Sequence, residues 1–266
     1  MTGEVFVVAA SGLNMRELPD AGAEILVVLP KGQFVTRLDD RTWGSNWYRV
    51  QAELHMMVFQ GYVSAGFIQP INPPPSEDRA DVRVTQSDIV KLAKNPRTEF
   101  LPGLVAGFDR ELPRYEIDTG LRVSHFMAQC AHESGNFRYM VELGNDAYFA
   151  KYEGRASLGN TQAGDGARYK GRGIIQLTGR ANYTTYGAAL GLDLVNNPDL
   201  AALPENAVKI ACEYWKRTTR GGVSMNQLAD ADNLEAITRR INGGVNGLED
   251  RRLKLAIAKS IWGAGA

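Results

Sequence analysis

Two cysteines and three histidines are few for a chain of 266 residues, and where they fall excludes much of the chemistry they usually serve. Cys130 and Cys212 lie in separate apolar helical patterns, so they read as buried free thiols rather than a disulfide, as a reducing compartment favours. His55, His125 and His132 are scattered, and none joins a cysteine or carboxylate at metal-ligand spacing. No metal site and no other cofactor are expected. An excess of one charge is also missing. The 30 Lys/Arg balance 30 Asp/Glu, which removes the general electrostatic argument for nucleic acid or an anionic membrane. Residues 1–83 hold 7 Lys/Arg against 10 Asp/Glu and residues 84–266 hold 23 against 20, too slight a bias to identify a partner. No run approaches the roughly 18 apolar residues a bilayer span needs, so membrane insertion is not expected. The N-terminal Met-Thr-Gly-Glu-Val-Phe-Val-Val has no basic n-region and no long apolar h-region. No signal peptide is read there, and the chain is expected to be made in the cytoplasm.

What is present divides into two halves. The length is comfortable for two domains, and 44% apolar residues suffice for sizeable cores. Between residues 4 and 70, Glu4-Val-Phe-Val-Val-Ala, Glu24-Ile-Leu-Val-Val-Leu, Phe34-Val-Thr-Arg-Leu, Trp47-Tyr-Arg-Val-Gln and Gly61-Tyr-Val-Ser read as strands. Turn signals at Leu18–Gly22, Pro30–Gly32, Asp39-Asp40 and Gly44–Asn46 separate them. Five short strands in so few residues predict a small barrel. Then Pro70-Ile-Asn-Pro-Pro-Pro-Ser-Glu-Asp-Arg79 breaks all periodicity and reads as an extended linker. The expected organisation is a β domain over 1–70, a linker over 71–83 and a mostly helical domain over 84–266. The predicted helices cover a segment opened by Thr85 and then 98–112, 119–134, 205–217, 233–242 and 249–262. The last places Leu253, Ala256, Ile257 and Ile261 on one face. The only strand signal in this half is Gly173-Ile-Ile-Gln-Leu-Thr178. The fold class is therefore α+β with two domains.

Chemistry concentrates where an apolar helix ends in His132-Glu133. At 100° per residue Val123, Phe126, Met127, Cys130 and Phe137 form one stripe, with Glu133 at its edge. A carboxyl against apolar groups loses hydration on ionising, which prepares a neutral general acid. The plainer alternative is a solvated glutamate at a helix end, with Ser134-Gly135 as the stop. His132 alone reads as an ordinary hydrogen-bonded partner. Twenty residues on, Glu153 sits beside Lys151 and Arg155, whose charges favour the ionised form that a general base needs; a loop salt bridge is the alternative. Glu142 is a rival to Glu153, and spacing alone does not rank them. If 173–178 is a strand, Gln176 and Thr178 share a face where amide and hydroxyl could bind a sugar or position water. Gly164-Asp-Gly166 and Gly171-Arg-Gly173 fit neither a P-loop nor a dinucleotide fingerprint. Asn242, ahead of Gly243-Gly244, either presents an amide to a ligand or caps a helix.

Taken in order, His132-Glu-Ser-Gly135, Tyr152-Glu-Gly-Arg155, Gly164-Asp-Gly166, Tyr169-Lys-Gly-Arg-Gly-Ile-Ile-Gln-Leu-Thr-Gly-Arg-Ala-Asn-Tyr183, Trp215, Ile241-Asn-Gly-Gly244 and Asp250-Arg251 resemble the family 19 glycoside hydrolases. That family comprises plant-type chitinases and shorter phage and bacterial endolysin-type members, and the resemblance covers about residues 85–262. It implies a lysozyme-like helical fold and single-displacement, inverting hydrolysis of a β-1,4 N-acetylhexosamine link. Glu133 matches the general acid, Glu153 the general base, and Thr178 a serine that helps hold the nucleophilic water. His132 stands beside the acid in the substrate-binding set. Gln176, Asn182 and Asn242 match substrate-contacting positions, and Arg251 lies near a supporting arginine. Some phage members place the second acid nearer Glu142. An inverting pair is separated by about 6.5–9.5 Å.

Residues 4–70 resemble the bacterial SH3-like wall-binding domains through Gly12-Leu-Asn-Met-Arg-Glu-Leu-Pro19, Leu29-Pro-Lys-Gly32, Asn46-Trp-Tyr-Arg-Val50 and Gly61-Tyr-Val-Ser64. Trp43, Trp47 and Tyr48 are candidates to stack on a ligand, with barrel core as the other use for at least one of them. The combined expectation is a monomeric peptidoglycan hydrolase of endolysin type. It would leave the cytoplasm (the host's, if phage-encoded) through a holin or another route and act on the wall. A chitinase and a non-catalytic wall-binding protein are the alternatives.

Overall fold

The computed structural model describes residues 4–44, 46–54, 57–70 and 82–263. Most of the expected linker, residues 71–81, lies outside them, as does His55. The chain divides into two compact units. One is Met1–Pro73 with Thr218–Ala231, and the other is Pro74–Arg217 with Asp232–Ala266.

The first unit is built on antiparallel strands β1 (Val5–Val8), β2 (Gly12–Arg16), β3 (Ile25–Pro30), β4 (Phe34–Arg37), β5 (Trp47–Leu54), β6 (Met57–Ser64) and β7 (Ile68–Pro70). Their order is β3-β2-β6-β5-β4-β1-β7. The five expected strands are there, and Gly12–Arg16 and Ile68–Pro70 are two that the sequence reading left out. Among the described residues the sheet is open rather than a closed barrel, with β3 and β7 at its edges. Period-two alternation sends Leu13 and Met15 from β2, and Val50 and Ala52 from β5, into one core with Phe6, Leu29, Val35 and Val63. Tyr48 packs on that core, its ring 5.5 Å from Phe6, with the Arg37 guanidinium 3.9 Å from the ring centre. Of the three ring candidates, Tyr48 is thus committed to packing. The segment 218–231, which includes a short helix at Met225–Asp230, belongs with this sheet: Thr36 Oγ1 donates to Gly221 O at 2.8 Å.

The second unit is helical. Helix α1 (Gln86–Leu92) opens with a capping box in which Thr85 and Asp88 satisfy each other's backbone amides. Then come α2 (Leu101–Glu111), α3 (Gly120–Glu133), the single turns α4 (Asp146–Phe149) and α5 (Asp165–Arg168), and α6 (Arg180–Leu190) and α7 (Pro204–Arg217). With the Met225–Asp230 helix of the first unit counted as α8, the chain closes with α9 (Leu234–Asn242) and α10 (Leu248–Trp262). The long predicted helices match to within a few residues.

Helix α3 is the centre of this unit. The stripe Val123, Phe126, Met127, Cys130, Phe137 is buried as read, but so is every residue from Arg122 to Ala131. It is an enclosed helix, not one with a single apolar face. Cys130 and Cys212 are buried free thiols, and burial pushes both up from the ordinary thiol value.

Two further expectations fail. On α10 the buried face is Arg251, Lys254, Leu255, Ala258 and Trp262, while Leu253 and Ile257 are 67% and 41% exposed. Arg251 donates to Gln129 and Glu133 on α3 and Lys254 to Asp250 on α10 itself, so charge does not force that face outward. Residues 173–178 form no strand. They make a tight turn closed by a bridge between Arg172 and Leu177, with Gly173 at φ 76° and Gln176 at φ 52°. Arg172, buried beneath it, donates to Arg168 O, Tyr183 Oη and Asp199.

Candidate functional site

Helix α3 stops abruptly at Glu133. Ser134 Oγ donates to Cys130 O at 2.6 Å and accepts from Phe137 N at 2.8 Å. Gly135, Asn136 and Phe137 then follow in the left-handed region, a conformation that two non-glycine residues hold only when their surroundings enforce it. Phe137 is fully buried, its ring edge-on to Phe108, which supplies that enforcement. Glu133 therefore occupies a fixed point at a helix C-terminus, where the negative end of the dipole disfavours a carboxylate. Arg251 offsets this. Its Nη2 donates to Glu133 Oε1 at 2.5 Å, and its Nη1 donates to Gln129 Oε1. The sequence pattern foresaw an apolar setting for Glu133, and the apolar residues are there. A buried guanidinium is present as well, 1% exposed.

His132, on the same helix end, faces Asp250, with Nδ1 2.5 Å from Oδ2. Lys254 Nζ donates to the other Asp250 oxygen at 2.7 Å. Burial works to raise the Asp250 carboxyl, but Lys254 and His132 outweigh it and hold it below its ordinary value. Gly247, at φ 72°, rests on the His132 ring so closely that a Cβ there would stand 2.5 Å from Cε1. The loop carrying it is closed by Asn242, whose Nδ2 donates to Asn246 O at 2.7 Å and whose Oδ1 accepts from Gly244 N at 2.8 Å. Asn242 is thus the last residue of α9 and an organiser of the loop over His132.

A second cluster surrounds Glu142. Its Oε2 accepts from Gly171 N at 3.0 Å, and its Oε1 accepts from Tyr152 Oη at 2.9 Å and Lys151 Nζ at 3.4 Å. Burial pushes this carboxyl up, but the Gly171 amide, the Tyr152 hydroxyl and Lys151 prevail and hold it below its ordinary value. Gln176 reaches the same spot. A Cβ on Gly171 would lie 2.8 Å from Gln176 Oε1 and 3.1 Å from Glu142 Oε2, so only glycine leaves room for both. Along the turn, Thr178 Oγ1 donates to Gln176 O and Asn182 Nδ2 to Thr178 O, each at 2.8 Å.

Glu153 stands apart from both clusters. Its two oxygens accept from Gly164 N at 2.6 Å and Gly166 N at 2.8 Å, across the start of α5. Next to it, Asp165 takes a bidentate pair from Arg180 at 2.5 and 2.8 Å. Sequence reading thus found His132, Glu133 and Arg251, which come together, and Gln176, Thr178 and Asn182, which are linked by hydrogen bonds from the turn into α6. It missed Gln129 and Asp250 as partners. Gln129 was accessible, because it precedes Glu133 by one helical turn and must share its face.

Ile175, beside Gln176, joins Glu133 in lining a cavity of about 100 Å³, so the turn links the two clusters. Among the described residues no group of three His, Cys, Asp or Glu could hold a metal ion. No helix there is long and apolar enough to cross a membrane.

The family model for class I chitinase matches residues 117–229, which contain both clusters except the α9–α10 side. A glycosyl hydrolase family 19 domain-containing protein of Haemophilus influenzae is 35% identical, over 47% of this chain and 72% of that protein. An endochitinase of Arabidopsis thaliana is 36% identical over 46% of this chain, but the match spans only 39% of the plant protein. Among solved structures, chitinase C of Streptomyces griseus superposes with a TM-score of 0.54 at 26% identity, covering 68% of this chain and 92% of that one.

Proposed function

The chain belongs to glycoside hydrolase family 19 and is a glycoside hydrolase, and from that premise we propose that it cuts β-1,4 links between N-acetylhexosamines of peptidoglycan by single displacement with inversion. Glu133 is the general acid. Its Oε1 is engaged by Arg251, which leaves Oε2 to deliver a proton to the glycosidic oxygen as the C1–O bond breaks. Glu142 is the general base. It takes one proton from a water whose oxygen bonds to C1 from the opposite face, leaving a hemiacetal of inverted configuration. Thr178 and Gln176 hold that water and the sugar, and Asn182, Asn242 and His132 border the cleft.

The observation that carries the base assignment is the Glu142 cluster: a carboxyl held below its ordinary value and bonded to Gly171, beside the turn that bears Gln176. Glu153, the base by family resemblance, spends both oxygens on backbone amides, and in this reading it holds the Gly164–Gly166 loop.

In the same reading the β unit tethers the enzyme to the wall, as in endolysins, which raises the local concentration of catalyst at the polymer. A groove of about 350 Å³ on that unit, lined by Asn14, Arg16, Trp47 and Phe67 among others, supports this role. The chitinase names of the Arabidopsis and Streptomyces relatives favour a second reading, in which the polymer is chitin. Digesting purified sacculi and colloidal chitin in parallel, with mass spectrometry of the products, tests both. Reducing-end sugars from sacculi are expected. Activity on chitin alone would move the substrate to the second reading, and anhydro-muramyl ends would reject hydrolysis.

A further inference from the structure

The two oxygens of Glu142 are not equivalent. Oε1 is covered by two donors, Tyr152 Oη at 2.9 Å and Lys151 Nζ at 3.4 Å, while Oε2 has one, the Gly171 amide at 3.0 Å. A carboxylate accepts from about four directions, about two on each oxygen. Among the described residues, Oε1 is thereby filled and Oε2 keeps one direction open. Oε2 also lies on the side of Gln176. The point where a Gly171 Cβ would stand is 3.1 Å from Glu142 Oε2 and 2.8 Å from Gln176 Oε1. Gln176 turns that oxygen the same way because its Nε2 donates to Gly173 O at 2.8 Å.

Both donors on Oε1 come from one short segment, and each is held in place. The helical turn Ala150–Tyr152 follows α4 directly, and Asn145 caps α4 by accepting from Tyr148 N at 3.0 Å. The Lys151 side chain is 40% exposed, and an ion pair at such a site is ordinarily worth little. Here, however, the ammonium lies 3.4 Å from the centre of the Tyr148 ring and 4.6 Å from that of Tyr152. Two aromatic rings attract the one cation and narrow where it can sit. Burial, with Glu142 assisting, raises the Tyr152 hydroxyl above its ordinary value, so it stays protonated and remains a donor through neutral pH.

We infer that Tyr152 and Lys151 are positioning residues for the base: they hold Oε1 of Glu142 and leave Oε2, beside Gln176, as the oxygen that takes the proton. The inference rests on the reaction proposed above, with Glu142 as base, and adds what aims that base and sets the acid limit of its use. Both residues favour the charged carboxylate. Losing either lets Glu142 protonate at higher pH, and a protonated Glu142 cannot take the proton. The other ionisable groups around it have partners of their own. Arg172 donates to Asp199 and Tyr183, Lys170 lies over the Phe149 ring, and Arg138 donates to Gly135 O. The Tyr183 hydroxyl is pushed up to about 12, chiefly by burial, and stays neutral.

The test follows kcat and KM against pH on sacculi, or on colloidal chitin should that be the polymer cut. It compares the 266-residue chain with Tyr152→Phe, Lys151→Met, Lys151→Arg and Glu142→Gln. Tyr152→Phe and Lys151→Met are each expected to move the acid limb of kcat/KM to higher pH, with about tenfold loss of activity below the limb and KM within about twofold. Lys151→Arg keeps a cation between the rings and is expected to restore the limb. Looser packing would lower the whole profile without moving the limb. A limb unmoved in one variant would remove that residue from the role. Limbs unmoved in both, or moved as far by Lys151→Arg as by Lys151→Met, would overturn the inference. Glu142→Gln keeps the two questions apart. If it cuts as fast as the unsubstituted chain, the base assignment itself fails. If it is inactive while the limbs stay where they were, the base stands and the positioning role does not.

Discussion

Arg251 donates to Glu133 across 118 positions of sequence, and the two side chains meet at 2.5 Å where α10 packs along α3. The arginine is almost fully buried, while the glutamate keeps 27% of its side chain exposed. Removing one member of such a pair leaves the other buried or half-buried without its counter-charge. Arg251→Met is therefore expected to lower stability by about 3 kcal/mol, the low end for a broken buried pair because Glu133 still reaches water. Arg251→Lys should recover little, since one ammonium cannot reproduce a planar fork shared by Gln129 and Glu133. Urea unfolding of the three proteins checks this, and equal midpoints would refute it.

The two candidate bases separate by how they fail. Glu142→Gln is expected to reduce kcat on sacculi by about 10²–10⁴-fold, the usual contribution of a general base, with little change in KM. Glu153→Gln keeps one acceptor for the loop amides, so it should cost about 1 kcal/mol of stability and leave kcat within about tenfold. If Glu153→Gln is the dead variant and Glu142→Gln the active one, the roles are reversed.

The α10 face can be tested without any substrate. Leu253→Lys, on the exposed side, is expected to change stability by less than about 0.5 kcal/mol. Leu255→Ala, on the buried side, should cost about 2–5 kcal/mol. The opposite ranking in thermal unfolding would restore the face read from the sequence.

Acid stability has a named contributor. Asp232 Oδ1 lies 2.8 Å from Nε2 of buried His125, and Lys259 Nζ donates to the other oxygen at 2.5 Å. The His125 contact lowers the Asp232 carboxyl most, burial opposes it, Lys259 assists, and the result is about 2. A depressed carboxylate contributes stability that is complete above its unfolded value of about 3.9 and is lost as pH falls through the folded value. The window is thus about pH 4 down to 2. The side chain is 48% exposed, so after screening the contribution is below about 1 kcal/mol. Asp232→Asn should flatten the melting temperature against pH across that window, and a slope identical to the unsubstituted chain's would count against the assignment.

Much of this site was legible in the sequence because it is locally encoded. The apolar run ending at His132-Glu133 marks a helix and its stop, and the Ser134-Gly135 turn follows from residue type. What could not be read is tertiary. Arg251 is reached in the sequence only through the family resemblance and Lys254 not at all, because their partners Gln129, Glu133 and Asp250 are set by how α10 packs and folds. Gly173-Ile-Ile-Gln-Leu-Thr178 has the composition of a strand, yet reciprocal backbone bonds between Arg172 and Leu177 close it into a turn with Gln176 left-handed. Glu153 and Glu142 look equivalent in the sequence. Only their hydrogen-bond partners, two loop amides for one and a tyrosine, a lysine and an amide for the other, tell them apart.

The reach of Arg251 also bears on when the enzyme becomes competent. A chain emerging from the ribosome presents Glu133 long before it presents α10, so the carboxylate has no guanidinium partner during that interval. Contacts of such sequence separation form late, after the intervening loop has been closed. The Glu133–Arg251 pair is thereby coupled to the docking of α10 on α3.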